Sequence, residues 1–383
     1  MKIITDTKAL TDFCAPLTSF PFITVDTEFM RERTYWPQLC LIQVASPEDE
    51  AIIDPLAKGL DLAPLLEVMA DDTVIKVFHA ARQDVEIFYQ LMDQVPAPLF
   101  DTQVAAMACG YGDQIGYEPL VRMVTGAQVD KGSRFTDWAR RPLTDAQLVY
   151  ALGDVTHLRD VYQQLLGQLK ETNRLAWVRE EMDALHNPNL YFVEPAFAWK
   201  RLKMRNVRSK DIGPIIELAA WREDAAQTRN VPRGRLIKDD VLLEIARQAP
   251  TSVEKLGRVR GIPKGFERSE TGKGILNAVQ LGQEIPKEDL PQIARHKPME
   301  PVSPDVLDLL RVLLKRQCEA YNVAPKLIAS AADIEAIARS NDADVPAFKG
   351  WRREVFGDAA IKLKAGEIGL KLEGDKVVLV EHD

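Results

Sequence analysis

The stretch FITVDTEFMRERTYWPQLCLIQVASPEDEAIIDPL, residues 22–56, decides how the first part of this chain folds. It contains three runs rich in strand formers, FITVDTEF, LCLIQVAS and EAIIDPL, with turn residues between them. That is the pattern of three short strands in a meander. Asp26 and Glu28 sit inside the first run, among Ile23, Val25 and Phe29. Residues two apart in a strand point to the same face, so two carboxylates share one face of a segment that otherwise reads as buried. Like charges held away from water are costly unless something compensates them.

The pattern then changes. A helical stretch from Leu60 to Met69 is followed by TVIKVFHA, a strand, and RQDVEIFYQLM, whose Val85, Phe88, Leu91 and Met92 recur at helical spacing. PLFDTQVAAMAC begins as a strand and continues as a helix. Beyond a polar loop, Gly126 to Arg141, lies TDAQLVYALGDVTHLRDVYQQLLGQL, where Thr144 and Gln147 form a capping-box pattern. A meander followed by strands interleaved with helices predicts a mixed α/β sheet with helices on both faces. Residues 171–207 read as a linker that packs on its neighbours. The remainder reads as helical and carries a weak repeat: Asn230-Val231 and Ile245-Ala246-Arg247 recur as Asn322-Val323 and Ile337-Ala338-Arg339. Duplication of a small all-α domain is the simplest account. The expected organisation is an α/β unit at 1–170, the linker, and helical units at 208–289 and 300–383.

The chain has 383 residues, 46% apolar and 28% charged, as in ordinary globular proteins of more than one domain. No apolar run approaches the ~18–20 residues a membrane span needs. The N-terminus lacks a basic region followed by an apolar one, and the four cysteines form no CxxC pair. A cytoplasmic protein with reduced thiols is expected, and the composition suits a monomer. The net charge of −8 excludes bulk electrostatic attraction as a route to nucleic acid. Binding of that kind must be local, through patches or metal ions.

Four further carboxyl positions bear on Asp26 and Glu28. Asp84 falls about one turn into the helix after TVIKVFHA, and Tyr150 and Asp154 stand four apart on one helical face. Asp101 and Asp137 sit in loops. Taken singly, an Asp-x-Glu pair is most often an exposed strand face and a Tyr-x-x-x-Asp pair a helix surface. Taken together, four carboxylates in apolar surroundings call for divalent cations. Magnesium takes oxygen ligands and relies on few carboxylates plus substrate phosphate. Two such ions ~4 Å apart clamp a phosphodiester for in-line displacement. Tyr150 could then orient the attacking water, since a phenol with pKa ~10 is a poor base at neutral pH.

At these residues the sequence resembles the DEDD superfamily of 3′–5′ exonucleases, in the subgroup with a tyrosine in its third motif, and within it the ribonuclease D family. VDTEFMRERTYWPQLCLIQVA is similar to the first motif, VFHAARQDVEIF to the second, and DKGSRFTDWARRPLTDAQLVYALGDVTHL to the third. The repeated helical units resemble HRDC domains. The resemblance implies a ribonuclease-H-like exonuclease fold followed by two small all-α HRDC-type domains. It implies metal binding by Asp26, Glu28, Asp84 and Asp154, with two Mg2+ or Mn2+ ions per site, and water orientation by Tyr150. Gly153 stands where the family commonly has alanine. The implied reaction releases nucleoside 5′-monophosphates from RNA with a single-stranded 3′ end, with precursor tRNA trailers as substrate.

Several residues are expected to touch that substrate. Phe29, Tyr35 and Trp36 could stack on bases, and Gln43 could bond sugar or phosphate. His79 is grouped with them, although a histidine at such a strand end more often serves the core or a turn. Lys131, Arg134, Arg140 and Arg141 precede the third motif as phosphate-contact candidates. Arg233 and Arg258 represent the basic clusters of the first helical unit, where Gly261 and Gly265 would let backbone amides approach a phosphate. The second unit is much less basic and is expected to pack against its neighbours. Two rivals stand beside this reading: a DNA-directed exonuclease, and a protein that grips RNA 3′ ends without cutting. A helicase-linked role would need a P-loop, and the sequence has none.

Overall fold

A computed structural model of the chain describes residues 1–129, 132, 136–204, 207–292 and 301–382. The residues of the opening stretch form three strands, preceded in the chain by a short edge strand. With β1 at Ile3–Ile4, α1 at Thr7–Cys14, β2 at Phe22–Met30, β3 at Gln38–Ala45 and β4 at Glu50–Ile53, the meander expected from the sequence is in place. Then follow α2 (Ala63–Ala70), β5 (Ile75–Phe78), α3 (Arg82–Met92), β6 (Leu99–Asp101), α4 (Thr102–Ala108), α5 (Tyr117–Thr125) and α6 (Asp145–Glu171). The sheet order is β1-β4-β3-β2-β5-β6, with β2–β3 and β3–β4 antiparallel and β1–β4, β2–β5 and β5–β6 parallel.

Strand alternation sorts the side chains into two cores. Ile23, Val25, Ile42 and Val44 pack with Leu10, Phe13, Val68, Met69, Val85 and Phe88 from α1, α2 and α3. On the other face Leu41 and Ile52 pack with Leu148 and Ala151 of α6. The capping box expected at Thr144 and Gln147 starts α6. The Thr24 hydroxyl donates to the Val155 carbonyl at 2.8 Å and fastens α6 across β2.

Next come α7 (Leu175–Leu185), α8 (Ile212–Thr228), α9 (Arg233–Leu236), α10 (Asp239–Gln248), α11 (Val253–Leu256) and α12 (Glu270–Glu284). Last are α13 (Pro304–Tyr321), α14 (Pro325–Ile328), α15 (Ala331–Arg339), α16 (Gly350–Arg352) and α17 (Asp358–Ala365), then β7 (Ile368–Glu373) and β8 (Lys376–Glu381). The sequence repeat is visible in the backbone. Asn230 (φ 49°) and Asn322 (φ 48°) both turn left-handed after α8 and α13, and each is followed by a one-turn helix and a longer one. Both turns dock on the first unit, at different places. The Asn230 side chain accepts from the Tyr35 and Trp36 amides at 3.1 and 3.0 Å. The Asn322 amide donates to the Cys109 carbonyl at 3.3 Å, and the Ala324 amide donates to the Met107 carbonyl at 2.9 Å.

The second helical unit is more than docked. Leu310, Leu313, Leu327 and Phe356 share one continuous core with Phe100, Leu120, Leu158 and Leu165 of the nuclease-like unit. The first helical unit has a core of its own around Leu218, Ile245, Leu256 and Ile275, closed by Ala198 and Leu202 of the linker. One expectation needs correction. The second unit is not all-helical, because residues 368–381 form the antiparallel hairpin β7–β8. IGLKLE alternates with period two and KVVLVE is an apolar run, on either side of Gly374, whose φ of 64° suits the turn, and that pattern is a strand signal rather than a helical one.

Candidate active site

The opening strand delivers Asp26 and Glu28 to one face of β2, beside Gln43 of β3, which pairs directly with Asp26 in the ladder. The register shifts between Glu28 and Phe29. Such an irregularity bends a strand and ends its regular pairing. The long helix α6 crosses the same face and adds Tyr150 and Asp154 from successive turns. Carboxylate oxygens of Asp26, Glu28 and Asp154 all lie within 4.8 Å of one another. Asp84, in the first turn of α3, lines the same cleft just outside that trio.

Two devices aim Asp84. Ala80 has a left-handed backbone (φ 59°) that turns the chain from β5 into α3. Asp101 holds this turn by accepting from the Ala80 and Ala81 amides, each at 2.9 Å, while also capping α4 through the Gln103 amide at 2.8 Å. Asp101 is therefore structural. The Thr27 hydroxyl, on the opposite face of β2 from Asp26, then donates to Asp84 at 2.5 Å. On the α6 side, the Tyr117 hydroxyl donates to the Gly153 carbonyl at 2.8 Å, next to Asp154. A methyl group at Gly153 would meet only the His157 ring at 3.9 Å, so the departure from alanine there has no steric cause.

The electrostatics are those of carboxyl groups buried close together. Burial pushes the Asp26 carboxyl well above the usual carboxylate range, and the negative charges of Asp84, Asp154 and Glu28 push it further. Burial raises Asp84 to about 7, although hydrogen bonds from Thr27 pull the other way. Burial, then the charges of Asp154 and Asp26, raise Tyr117. The donor set is all oxygen, which fits hard divalent cations and not a thiolate- or imidazole-seeking metal. The cleft, about 670 Å3, also exposes Phe29, His79, Gln103 and Tyr117 to a ligand.

The substrate-contact expectations fare unevenly. Phe29 lines the cleft. His79 is on its wall, but its ring nitrogens pair with the Thr102 hydroxyl (3.0 Å) and the Ile115 carbonyl (3.1 Å), and burial lowers its pKa. Gln43 is fully buried beside Asp26, its amide nitrogen and oxygen without partners among the described residues, and it does not line the cleft where sugar or phosphate would lie. Tyr35 is buried at the junction with the first helical unit, its hydroxyl on Glu223, and Trp36 stacks on Phe192 at 6.4 Å. Neither lines the carboxylate cleft. Arg233 is held by Glu223 and lies 4.6 Å over the Tyr35 ring. Arg258 is exposed and lines neither that cleft nor the cavity beside Arg233. Arg141 clamps its loop to Asp54 (2.7 Å) and to the Cys40 and Trp138 carbonyls (2.7 Å each). Gly261 is required by packing, since a Cβ there would stand 2.5 Å from Val241. Lys131 and Arg134 lie outside the described residues.

Sequence reasoning missed Thr27, Tyr117 and the role of Asp101. Asp101-Thr102 before an apolar run is a readable helix cap. Nothing local marks Thr27 or Tyr117, whose contacts join distant segments.

The 3′–5′ exonuclease family profile matches residues 1–170, and the HRDC domain profile matches residues 216–279. The chain is 49% identical to ribonuclease D of Nitrobacter hamburgensis, over all of both chains. It is 49% identical to ribonuclease D of Jannaschia sp., over 99% of both. Among solved structures it is similar to Escherichia coli RNase D, described as an exoribonuclease involved in structured RNA processing. That match has a TM-score of 0.79 and 30% identity, and covers 95% of this chain and 98% of the other.

Proposed function

The chain belongs to the ribonuclease D family and is a 3′–5′ exoribonuclease, and on that premise we propose that it trims the 3′ trailers of precursor tRNA through Asp26, Glu28, Asp84, Tyr150 and Asp154. The observation that carries the site assignment is the convergence of three carboxylates within 4.8 Å, with Asp84 adjacent and two of the four held above their ordinary pKa. Family membership implies divalent metal ions. In our reading Asp26, Glu28, Asp84 and Asp154 hold two of them, Mg2+ or Mn2+. When bound, such a pair neutralises the carboxylates, activates water and stabilises the leaving oxygen.

The chain's own residues do the rest. Tyr150, on the same face of α6 as Asp154, orients water for attack on the terminal phosphodiester, releasing a nucleoside 5′-monophosphate. Thr27 fixes the Asp84 carboxylate through its hydroxyl. Tyr117 fixes the turn of α6 that carries Asp154. Phe29 offers a ring to the terminal base. In our reading the cleft, about 670 Å3, takes a frayed single-stranded 3′ end.

The description of the Escherichia coli relative, an exoribonuclease of structured RNA processing, supports a structured precursor as substrate. We read the exonuclease domain as 1–170, the linker as 171–207, the first HRDC-type domain as 208–289 and a diverged second copy as 300–383. We take the enzyme to be a monomer in the cytoplasm, consistent with four free cysteines. Among the described residues no helix is long and apolar enough to cross a membrane.

The test is a precursor tRNA with a short 3′ trailer, labelled at its 5′ end and incubated with Mg2+ or Mn2+. Stepwise shortening that stops near the mature end is expected. Degradation through the folded body, or an intact trailer, would overturn the tRNA assignment.

A further inference from the structure

A second cavity, of about 330 Å3, lies beside the carboxylate cleft, and four arginines line it: Arg31, Arg82, Arg201 and Arg233. They come from four places in the chain. Arg31 follows β2, Arg82 opens α3, Arg201 belongs to the linker and Arg233 to the first helical unit. Glu86 is the one carboxylate in the lining among the described residues, and it is already engaged, bonding Arg31 through both oxygens at 2.7 Å. Glu223 engages Arg233 from behind. Arg82 and Arg201 are exposed and have no carboxylate partner among the described residues. Charge placed this way is not an interdomain ion-pair network. It is an excess of guanidinium groups around a hollow, which suits a phosphate, the ligand that guanidinium groups bind with paired hydrogen bonds.

The location says which phosphate. Gln83 lines both this cavity and the carboxylate cleft. The first turn of α3 is thus the partition between them, with Asp84 facing the cleft and Arg82 and Glu86 facing the arginines. An RNA whose 3′ end lies at the carboxylates has its next upstream phosphates within reach over Gln83. We propose that the cavity formed by Arg31, Arg82, Arg201 and Arg233 binds a backbone phosphate of the RNA upstream of the scissile bond. This rests on the exonuclease reading of the cleft. It gives the docked first helical unit a function in the reaction, because Arg233 completes the cavity only when that unit sits on the nuclease. It also explains how an acidic chain holds a polyanion, with positive charge concentrated along one path.

The experiment uses the full chain with Mn2+ and two substrates: a ten-nucleotide RNA, and a p-nitrophenyl ester of a nucleoside 5′-monophosphate, which has no upstream phosphate. Arg82→Gln and Arg201→Gln break no ion pair among the described residues, so folding is not at stake. Lys8→Gln, at an exposed pair with Asp12, is the control. Each arginine variant is expected to raise KM for the RNA about tenfold, the magnitude of one charged hydrogen bond, and to raise the ratio of RNA to ester KM accordingly. The slope of log KM against log salt should fall by about 0.7 per arginine, the single-strand value. Lys8→Gln should move neither. A double variant with wild-type KM and salt slope on RNA would overturn the proposal. So would an equal rise in KM on the ester, which would mean a distorted cleft. Wild type that cleaves neither substrate would instead overturn the exonuclease reading beneath it.

Discussion

Asp84→Asn should stabilise the metal-free protein while abolishing its activity. The Asp84 carboxyl is lifted by burial from 3.8 to about 7. A carboxylate with a raised folded-state pKa costs stability that is absent below the unfolded value, grows as pH rises from about 4 to about 7, and is complete above that. Each pKa unit is about 1.4 kcal/mol, so the penalty is on the order of a few kcal/mol at pH 8 and distinctly smaller at pH 5. Asparagine keeps the shape and the acceptor for Thr27 but carries no charge. For a unit of this size 1 kcal/mol is roughly 2–4 °C, so the melting transition of the nuclease unit should rise by roughly 10 °C at pH 8. At pH 5 the rise should shrink to a few degrees. The assay is thermal unfolding in EDTA at both pH values, with a second series in Mn2+. The metal should raise the wild-type transition, more at pH 8 than at pH 6, because binding requires deprotonated ligands. It should do little for Asp84→Asn. If Asp84→Asn melts at or below wild type at pH 8, or shifts equally at both pH values, the carboxylate is not the strained group described here.

Other outcomes follow from the same geometry. Asp26→Asn and Asp154→Asn should each lower kcat at least ~10³-fold on single-stranded RNA, with the far-ultraviolet circular dichroism unchanged, as expected when several kcal/mol of charge stabilisation are lost. Tyr150→Phe should lower kcat by ~10²-fold with KM nearly unchanged in steady-state assays, the mark of a group used in the chemical step. Gln43→Met, which removes two buried polar atoms without partners among the described residues, should leave the metal-free protein as stable or raise its unfolding free energy by about 1 kcal/mol in denaturant titrations. A loss above about 2 kcal/mol would mean that the amide has a partner in solution.

The sheet and its order of elements were legible because residues 22–56 alternate cleanly and the later strands are separated by helical periodicity. Strand and helix periods made two pairings legible, Asp26 with Glu28 and Tyr150 with Asp154, whereas the roles proposed for these four and for Asp84 came from the resemblance to the exonuclease motifs. Their convergence was not legible, since it depends on β2 lying between β3 and β5 and on Thr24 fastening α6. The substrate contacts were the least legible. An arginine reads the same in sequence whether it clamps a loop, as Arg141 does, braces an interface, as Arg233 does, or faces a hollow, as Arg82 does. Gln43 reads in sequence as a polar residue free to meet sugar or phosphate, because alternation alone does not show that its face of β3 is fully buried there. The hairpin at 368–381 escaped notice because only its first strand, IGLKLE, alternates, while the second, KVVLVE, is an unbroken apolar run between charged ends.

The most direct test of the central claim is anomalous diffraction from crystals grown with Mn2+ and a nonhydrolysable RNA 3′ end. Two peaks within the cleft, coordinated by Asp26, Glu28, Asp84 and Asp154 and absent in Asp26→Asn, are the predicted result. An empty cleft at millimolar Mn2+, with its carboxylates paired to basic side chains of the protein, would contradict it.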